Sequence, residues 1–261
     1  MSADPASRGV ALKFVSVEKS FGATPIRADG LVVEPGSLTV LLGRSGCGKT
    51  TLLNLAAGLD MPSRGEVLYD ERPLVGPAPR SAFIFQHNNL FPWMTAKANI
   101  ALALKNRGVA HAEATRRVQQ LLEKVGLLEF STHFPAQLSG GMRQRVALAR
   151  SIAIEPRLLL LDEPFSALDA QTRRLMQRYL LDTWRSTGAS VLMVTHDLGE
   201  ALMLADRIVL MGSDPSGYIA DSIDVDLPHP RDDEHPRFRE MQRRIDTFLE
   251  TEAQSAEHTT R

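Results

Sequence analysis

The sequence predicts an α/β chain with a mostly parallel core sheet flanked by helices, an antiparallel β subdomain and a helical subdomain. Three observations carry that expectation. A glycine-rich loop, GRSGCGKT at 43–50, stands between a strand-like run and a helix-forming run. An uninterrupted apolar run, RLLLL at 157–161, reads as a central strand covered on both faces, and the strand-like SVLMVT at 190–195 and RIVLM at 207–211 follow it in alternation with helical stretches. Between about 95 and 154 the strand signal gives way to helical spacing.

Taken in order, ALKFVSV at 11–17 and SLTVLL at 37–42 read as strands, and the second feeds the glycine-rich loop. Residues 49–57 have helical composition. PSRGEVLYD at 62–70 reads as a turn followed by a strand or hairpin, and FIF at 83–85 as a short buried strand. In 111–125, Val118, Leu121, Leu122 and Val125 fall at helical spacing, and GMRQRVALARSIAI at 141–154 continues the helical region. RLLLL is the expected central strand, followed by a helix at about 170–186, the strand at 190–195, a short helix near 198–205 and the strand at 207–211. SDPSG at 213–217 is a turn into YIADSIDVDL. The last helix, about 236–250, places Phe238, Met241, Ile245, Phe248 and Leu249 on one face, and TEAQSAEHTTR beyond it is expected to fray. The organisation is therefore a flexible N-terminus (1–10), one domain over 11–235 with a helical subdomain at about 88–154, and a C-terminal helix and tail over 236–261.

The bulk numbers narrow the function classes. The 261 residues carry 30 basic and 31 acidic side chains, a balance that argues against nucleic acid as a partner. The single cysteine, Cys47, excludes an internal disulfide and fits a reducing compartment. MSADPASRG has neither a basic nor an apolar signal region, and no apolar run approaches the ~18 residues needed to span a bilayer. The expectation is a cytosolic chain whose membrane role, if any, comes through a partner.

The chemistry concentrates in a few motifs. GRSGCGKT fits the phosphate-loop pattern, in which Gly43, Gly46 and Gly48 let backbone N–H groups wrap phosphates. In that pattern Lys49 reaches the terminal phosphates and Thr50 offers a hydroxyl to Mg²⁺. LLLLDEP at 158–164 delivers two carboxylates to the carboxyl edge of the sheet. Asp162 is expected to hold the metal through water and Glu163 to orient or deprotonate the attacking water. Gln86 follows a buried strand and is placed to reach metal and water, while His196 ends another strand, within reach of a γ-phosphate. SALD at 166–169 is expected to cap the next helix. LSGGMRQR at 138–145 is a second helix start of the kind that binds anions.

The order GRSGCGKT, Gln86, LSGGMRQR, LLLLDEP, SALD and THD resembles the ATP-binding subunit of an ABC transporter, from about residue 11 to 211. The resemblance implies a P-loop NTPase fold of the ABC type, with ATP and Mg²⁺ as ligands. It places Phe21 on the adenine, adds Arg44, Ser45, Cys47 and Thr51 to the nucleotide contacts, and makes Gln86 both a metal contact and a member of the catalytic set with Glu163 and His196. It also implies a head-to-tail homodimer, in which Ser139, Gly140, Gly141 and Met142 of one subunit meet the ATP held by the other's loop. Met142 departs from the glutamine common at that position. Two anion-binding helix starts in one chain would then serve two different ATP molecules.

NNLFPWMTAKANIALAL at 88–104 sets Leu90, Phe91, Pro92, Trp93 and Met94 in succession between the two subdomains; some are expected simply to pack the helical insert, and the functional reading is a groove for a permease's cytoplasmic helix. This stretch and LPHPRDDEHPRF at 227–238 are similar to ATPases of nitrate, sulfonate and taurine importers. The resemblance implies permease subunits as partners, a solute-binding protein further out, and a peripheral place on the cytoplasmic side of the inner membrane. A non-transport ABC ATPase of translation or DNA repair, and an exporter subunit, stay open as alternatives.

Overall fold

The structure is a computed structural model that describes residues 9–21, 24–87, 89–212 and 217–259. The expectation for the N-terminal ten residues falls mostly outside them, as does most of the expected turn at 213–217.

Chain order begins with β1 (Leu12–Phe21), β2 (Thr24–Ala28), β3 (Val32–Val33), β4 (Leu38–Gly43) and helix α1 (Lys49–Ala56). Then come β5 (Arg64–Tyr69), β6 (Arg72–Pro73) and β7 (Ser81–Ile84), followed by helices α2 (Ala96–Asn106), α3 (His111–Lys124) and α4 (Gly140–Ala153). The last part holds β8 (Leu158–Asp162), α5 (Ala170–Thr187), β9 (Ser190–Thr195), α6 (Leu198–Leu204), β10 (Arg207–Gly212), β11 (Tyr218–Asp224) and α7 (Pro236–Thr259).

The strands lie in the order β6-β5-β1-β2-β11-β10-β4-β9-β8-β7, with β3 paired to β1. β10, β4, β9, β8 and β7 run parallel and form the core of the sheet. The N-terminal strands and the β10–β11 pair are antiparallel. β4, β8 and β9 are buried at every position, and side-chain alternation explains why. Leu38, Val40, Leu42, Leu159, Leu161, Val191, Met193, Ile208 and Leu210 point into one core together with side chains from α2 to α7. Leu41, Leu158, Leu160, Leu192, Val194, Val209 and Met211 point into the other, beneath α1 and the antiparallel strands. Both faces of a parallel sheet are covered, so both alternating sets must be apolar.

The carboxyl ends of these parallel strands share one edge. Leu42 of β4 pairs with Thr195 of β9, and Asp162 of β8 pairs with Val194. That register brings the loop after Gly43, the acidic pair at 162–163 and the turn at 196 to one rim, where open α/β sheets bind ligands.

α2, α3 and α4 pack on one another. Arg145 of α4 donates to the carbonyl oxygen of Val125 at 2.8 Å, fixing the end of α3. α7 runs to Thr259, past the expected end at about 250, because Thr251 to Thr259 contain no glycine or proline and include good helix formers such as Ala253 and Ala256. Arg231 anchors the segment before α7. Its guanidinium is buried and donates to the carbonyls of Leu227, Leu202, Ala205 and Val225.

Candidate active site

The loop after β4 turns through Gly46 and Gly48 at φ of 85° and 101°, left-handed conformations that glycine adopts without strain. Gly48 is the N-cap of α1, so the loop leads directly into the positive end of that helix. Gly43 meets a steric requirement instead: a Cβ built there would lie 2.6 Å from the carbonyl oxygen of Met211. Lys49 is buried, and its ammonium donates to the carbonyl oxygens of Gly43 and Arg44, both at 2.7 Å. Arg44, Ser45 and Gly46 stand exposed at the loop's crown, and Thr51 follows on α1. Cys47 faces inward, and burial pushes its thiol pKa above the ordinary cysteine range.

The acidic pair lies beside this loop. The Thr50 hydroxyl donates to Asp162 Oδ2 at 3.0 Å. Burial pushes the Asp162 carboxyl above the usual carboxylate range, and Glu163 adds to this while Thr50 and Lys49 oppose it. Glu163 Oε1 lies 3.1 Å from His196 Nδ1, so the residues after β8 and β9 meet at the sheet edge. Glu163 has φ 47°, a strained conformation for a residue with a side chain. Its surroundings fix it there: its N–H donates to Val194, and its carbonyl accepts from Gln144 Nε2 at 3.0 Å and Ser166 Oγ at 3.1 Å.

Gln86 is exposed in the turn after β7. Among the described residues, no hydrogen bond joins it to Asp162 or Glu163. Phe21 ends β1, paired with Thr24, while its side chain lies outside the described structure.

Ser139 caps α4, its hydroxyl accepting from the Met142 N–H at 3.2 Å. Gly140 and Gly141 open that helix against the loop after β8: a Cβ on Gly141 would sit 3.1 Å from the carbonyl oxygen of Ala167. Met142 packs against the helix-side core. Asp169 caps α5 by accepting from the Thr172 N–H at 3.0 Å, as expected of SALD.

Three residues close to this site went unread in the sequence. Ile26 of β2 packs where a Gly48 side chain would go, and Gly217 passes so near Cys47 that a Cβ would meet its carbonyl oxygen at 2.1 Å. Gln144, the third, joins α4 to the acidic loop. Isolated residues that meet a site across long sequence separations leave no periodic signal. A glutamine on an otherwise apolar helix face was the one available hint.

A glycine-rich loop opening a helix, set beside a carboxylate at the end of a parallel strand, defines a P-loop nucleotide hydrolase. Comparison with known proteins sharpens the class. The chain belongs to the ABC transporter family, which it matches over residues 27–166. It is 42% identical over 228 residues to the nitrate import ATP-binding protein NrtD of Synechocystis sp., covering 87% of this chain and 85% of that protein. It is 54% identical over 180 residues to the taurine import ATP-binding protein TauB of Mesorhizobium japonicum, covering 69% of this chain and 70% of the relative. Among solved structures it is similar to the ATP-binding cassette MJ0796, a dimer in a post-hydrolysis state bound to ADP and Pi. That match has TM-score 0.73 and 30% identity, covering 84% of this chain and all of that one. This chain is an ATPase of the same cassette type. No helix among the described residues is long and apolar enough to cross a membrane.

Proposed function

We propose that this chain powers an ABC importer for a small solute of the nitrate, sulfonate or taurine kind, hydrolysing ATP in a head-to-tail dimer. The observation that carries the reading is the pair of anion-suited helix starts. One lies at Gly48–Thr50 on the sheet edge, and the other at Ser139–Gly141 on the helical insert. The names of the import ATP-binding relatives support the importer role.

In each site Lys49 and the loop N–H groups hold the phosphates of the chain's own ATP, with Phe21 against the adenine. Glu163 acts on the attacking water as general base or orienting group, and His196, in contact with it, faces the γ-phosphate. The Thr50 hydroxyl and Asp162 carboxylate suit Mg²⁺: they are hard oxygens at one point, with phosphates and water left to complete six-coordination. When bound, Mg²⁺ would neutralise phosphate charge, and Gln86 would report the metal and water to the helical insert. Ser139, Gly140, Gly141 and Met142 complete the partner subunit's site, so ATP joins the two subunits and hydrolysis releases them.

The exposed stretch around Trp93 takes the permease. Trp93 is 69% exposed and packs on Phe91 at 5.5 Å between ring centroids, while the Arg150 guanidinium lies 5.8 Å from the Phe91 ring. A solute-binding protein delivers cargo to that permease, and the ATPase sits on the cytoplasmic face of the inner membrane. Domain limits at 11–235, with the insert over 88–154, belong to the same reading.

Glu163→Gln should lose about 10²–10⁴ of its turnover, keep its ATP affinity and dimerise with ATP. Adding Ser139→Arg should leave ATP binding intact and the chain monomeric, as read by light scattering and a nucleotide titration. Loss of ATP binding in the double variant would mean that Ser139 serves its own chain's nucleotide, and the two-subunit arrangement would fall.

A further inference from the structure

α4 is tied to the acidic loop by one buried side chain. Gln144 is 2% exposed, and its two amide atoms are used in opposite senses. Nε2 donates to the carbonyl oxygen of Glu163 at 3.0 Å, and Oε1 accepts from the Ala167 N–H at 3.1 Å. A backbone carbonyl only accepts and a backbone N–H only donates, so these partners fix the amide orientation. Gln144 follows Gly140 and Gly141 by about one helical turn, and therefore lies on the same face of α4 as the helix start. Gly141 faces the same loop: a Cβ there would stand 3.1 Å from both the Ala167 carbonyl oxygen and Leu168 Cδ2.

The carbonyl that Gln144 holds belongs to the residue with φ 47°. A left-handed glutamate persists only where its neighbours over-determine it. Ser166 supplies two of the contacts to that carbonyl, but Ser166 lies within the same loop and moves with it. Gln144 is the contact that comes from another subdomain.

From this geometry we infer that Gln144 is a positioning residue for hydrolysis, setting the backbone of Glu163 in register with the Ser139–Gly141 helix start. The inference rests on the reading of Glu163 and the two-subunit site given above. If α4 moves as its start engages the partner's phosphate, Gln144 carries that movement to the chain's own Glu163. Engagement at one ATP would thereby set the carboxylate that acts on the other.

The test uses the full chain with Gln144→Ala and Gln144→Glu, measuring steady-state turnover, ATP affinity and the melting temperature. Gln144→Ala should lower kcat about tenfold, the loss expected for one or two buried hydrogen bonds, while ATP affinity stays at the parental value. Gln144→Glu differs at one atom and is expected to fold. Ionised, it accepts from Ala167 but has no proton for Glu163; protonated, it donates again. Burial raises a carboxyl pKa, which brings this change into the working range. Its kcat deficit, measured against the parent at each pH, should therefore shrink as pH is lowered from 8 towards 6, by about tenfold if the donation is fully restored. A folded Gln144→Ala with parental kcat, or a Gln144→Glu deficit independent of pH, would overturn the inference. Turnover that survives Glu163→Gln would sink the reading of Glu163 and this inference together. Turnover lost in Glu163→Gln but retained in Gln144→Ala would remove this inference alone.

Discussion

Replacing Gly43 by alanine tests whether the phosphate loop is positioned by its fit against β10. The added methyl carbon would stand 2.6 Å from the carbonyl oxygen of Met211, and 3.1 Å from both Cys47 Sγ and Met211 Cβ. Ordinary contact for such a pair lies roughly 0.8 Å further out. Gly43 and Met211 are register partners in parallel strands, so the clash falls on backbone rather than on a side chain that can rotate away. Two relaxations are available. Parting β4 from β10 strains the ladder, and pushing the loop outward moves Cys47 and the carbonyl of Gly43, which holds Lys49. Overpacking of this kind costs about 1–3 kcal/mol, and in a chain of this size each kcal/mol lowers Tm by about 2–4 °C. Misaligning one or two loop N–H groups should also weaken ATP binding about tenfold. Thermal unfolding and titration with a fluorescent ATP analogue read the two effects separately. Gly76→Ala is the control, because a Cβ there meets nothing within 4 Å. A Gly43→Ala chain with parental Tm and parental affinity would refute the argument that this contact places the loop.

Trp93→Ala removes a side chain that is mostly in solvent, so stability should change by less than about 0.5 kcal/mol and ATP affinity should hold. Association with the permease, measured by co-purification, should weaken; a large fall in Tm would show Trp93 to be core instead. His229 predicts an acid-sensitive window. Burial, then Arg231 and Arg185, lower its pKa from 6.5 to about 4. The unfolded chain therefore binds a proton below pH 6.5 that the folded chain refuses until about pH 4, and stability falls as pH drops through that window. The whole shift would correspond to ~3 kcal/mol; solvent screening of a half-buried ring reduces this to about 1–2 kcal/mol. His229→Gln should flatten the stability profile between those pH values, and an unchanged profile would show that another group titrates there.

What could be read from the sequence follows from how each feature is encoded. β8 and β9 are signalled by runs of apolar residues because both sheet faces are covered, and β9 begins and ends as expected, at Ser190 and Thr195. β1 extends beyond Val17 to Phe21 because it gains a hairpin partner in β2, a contact that no local pattern displays. β3 and β6, two residues each, exist only through their pairing and left no trace of their own. At the site, the glycines and Lys49 follow a fixed spacing and were visible. The meeting of Thr50 with Asp162 depends on a strand order that spacing does not specify, so an acidic partner for the loop could be expected while its contact could not. Gln144 was hidden for another reason: its two partners are backbone atoms, which have no residue identity to read.

The strand order also has a consequence for how the chain is made. β4 ends at Gly43, yet its two neighbours are made much later: β9, which starts at Ser190, and β10, which ends at Gly212. Until those segments are synthesised, both long edges of the strand that feeds the phosphate loop lack their final partners. Non-local pairing of this kind is slow and leaves sticky intermediates. β11, still later, is the strand that joins β2 to β10 and so closes the N-terminal strands onto the rest. A nascent chain halted before Arg207 would thus display the complete GRSGCGKT motif with one flank of its strand bare. Nucleotide should contribute to stability only once β9 and β10 have paired with β4, as a late check that the sheet around the phosphate loop has assembled.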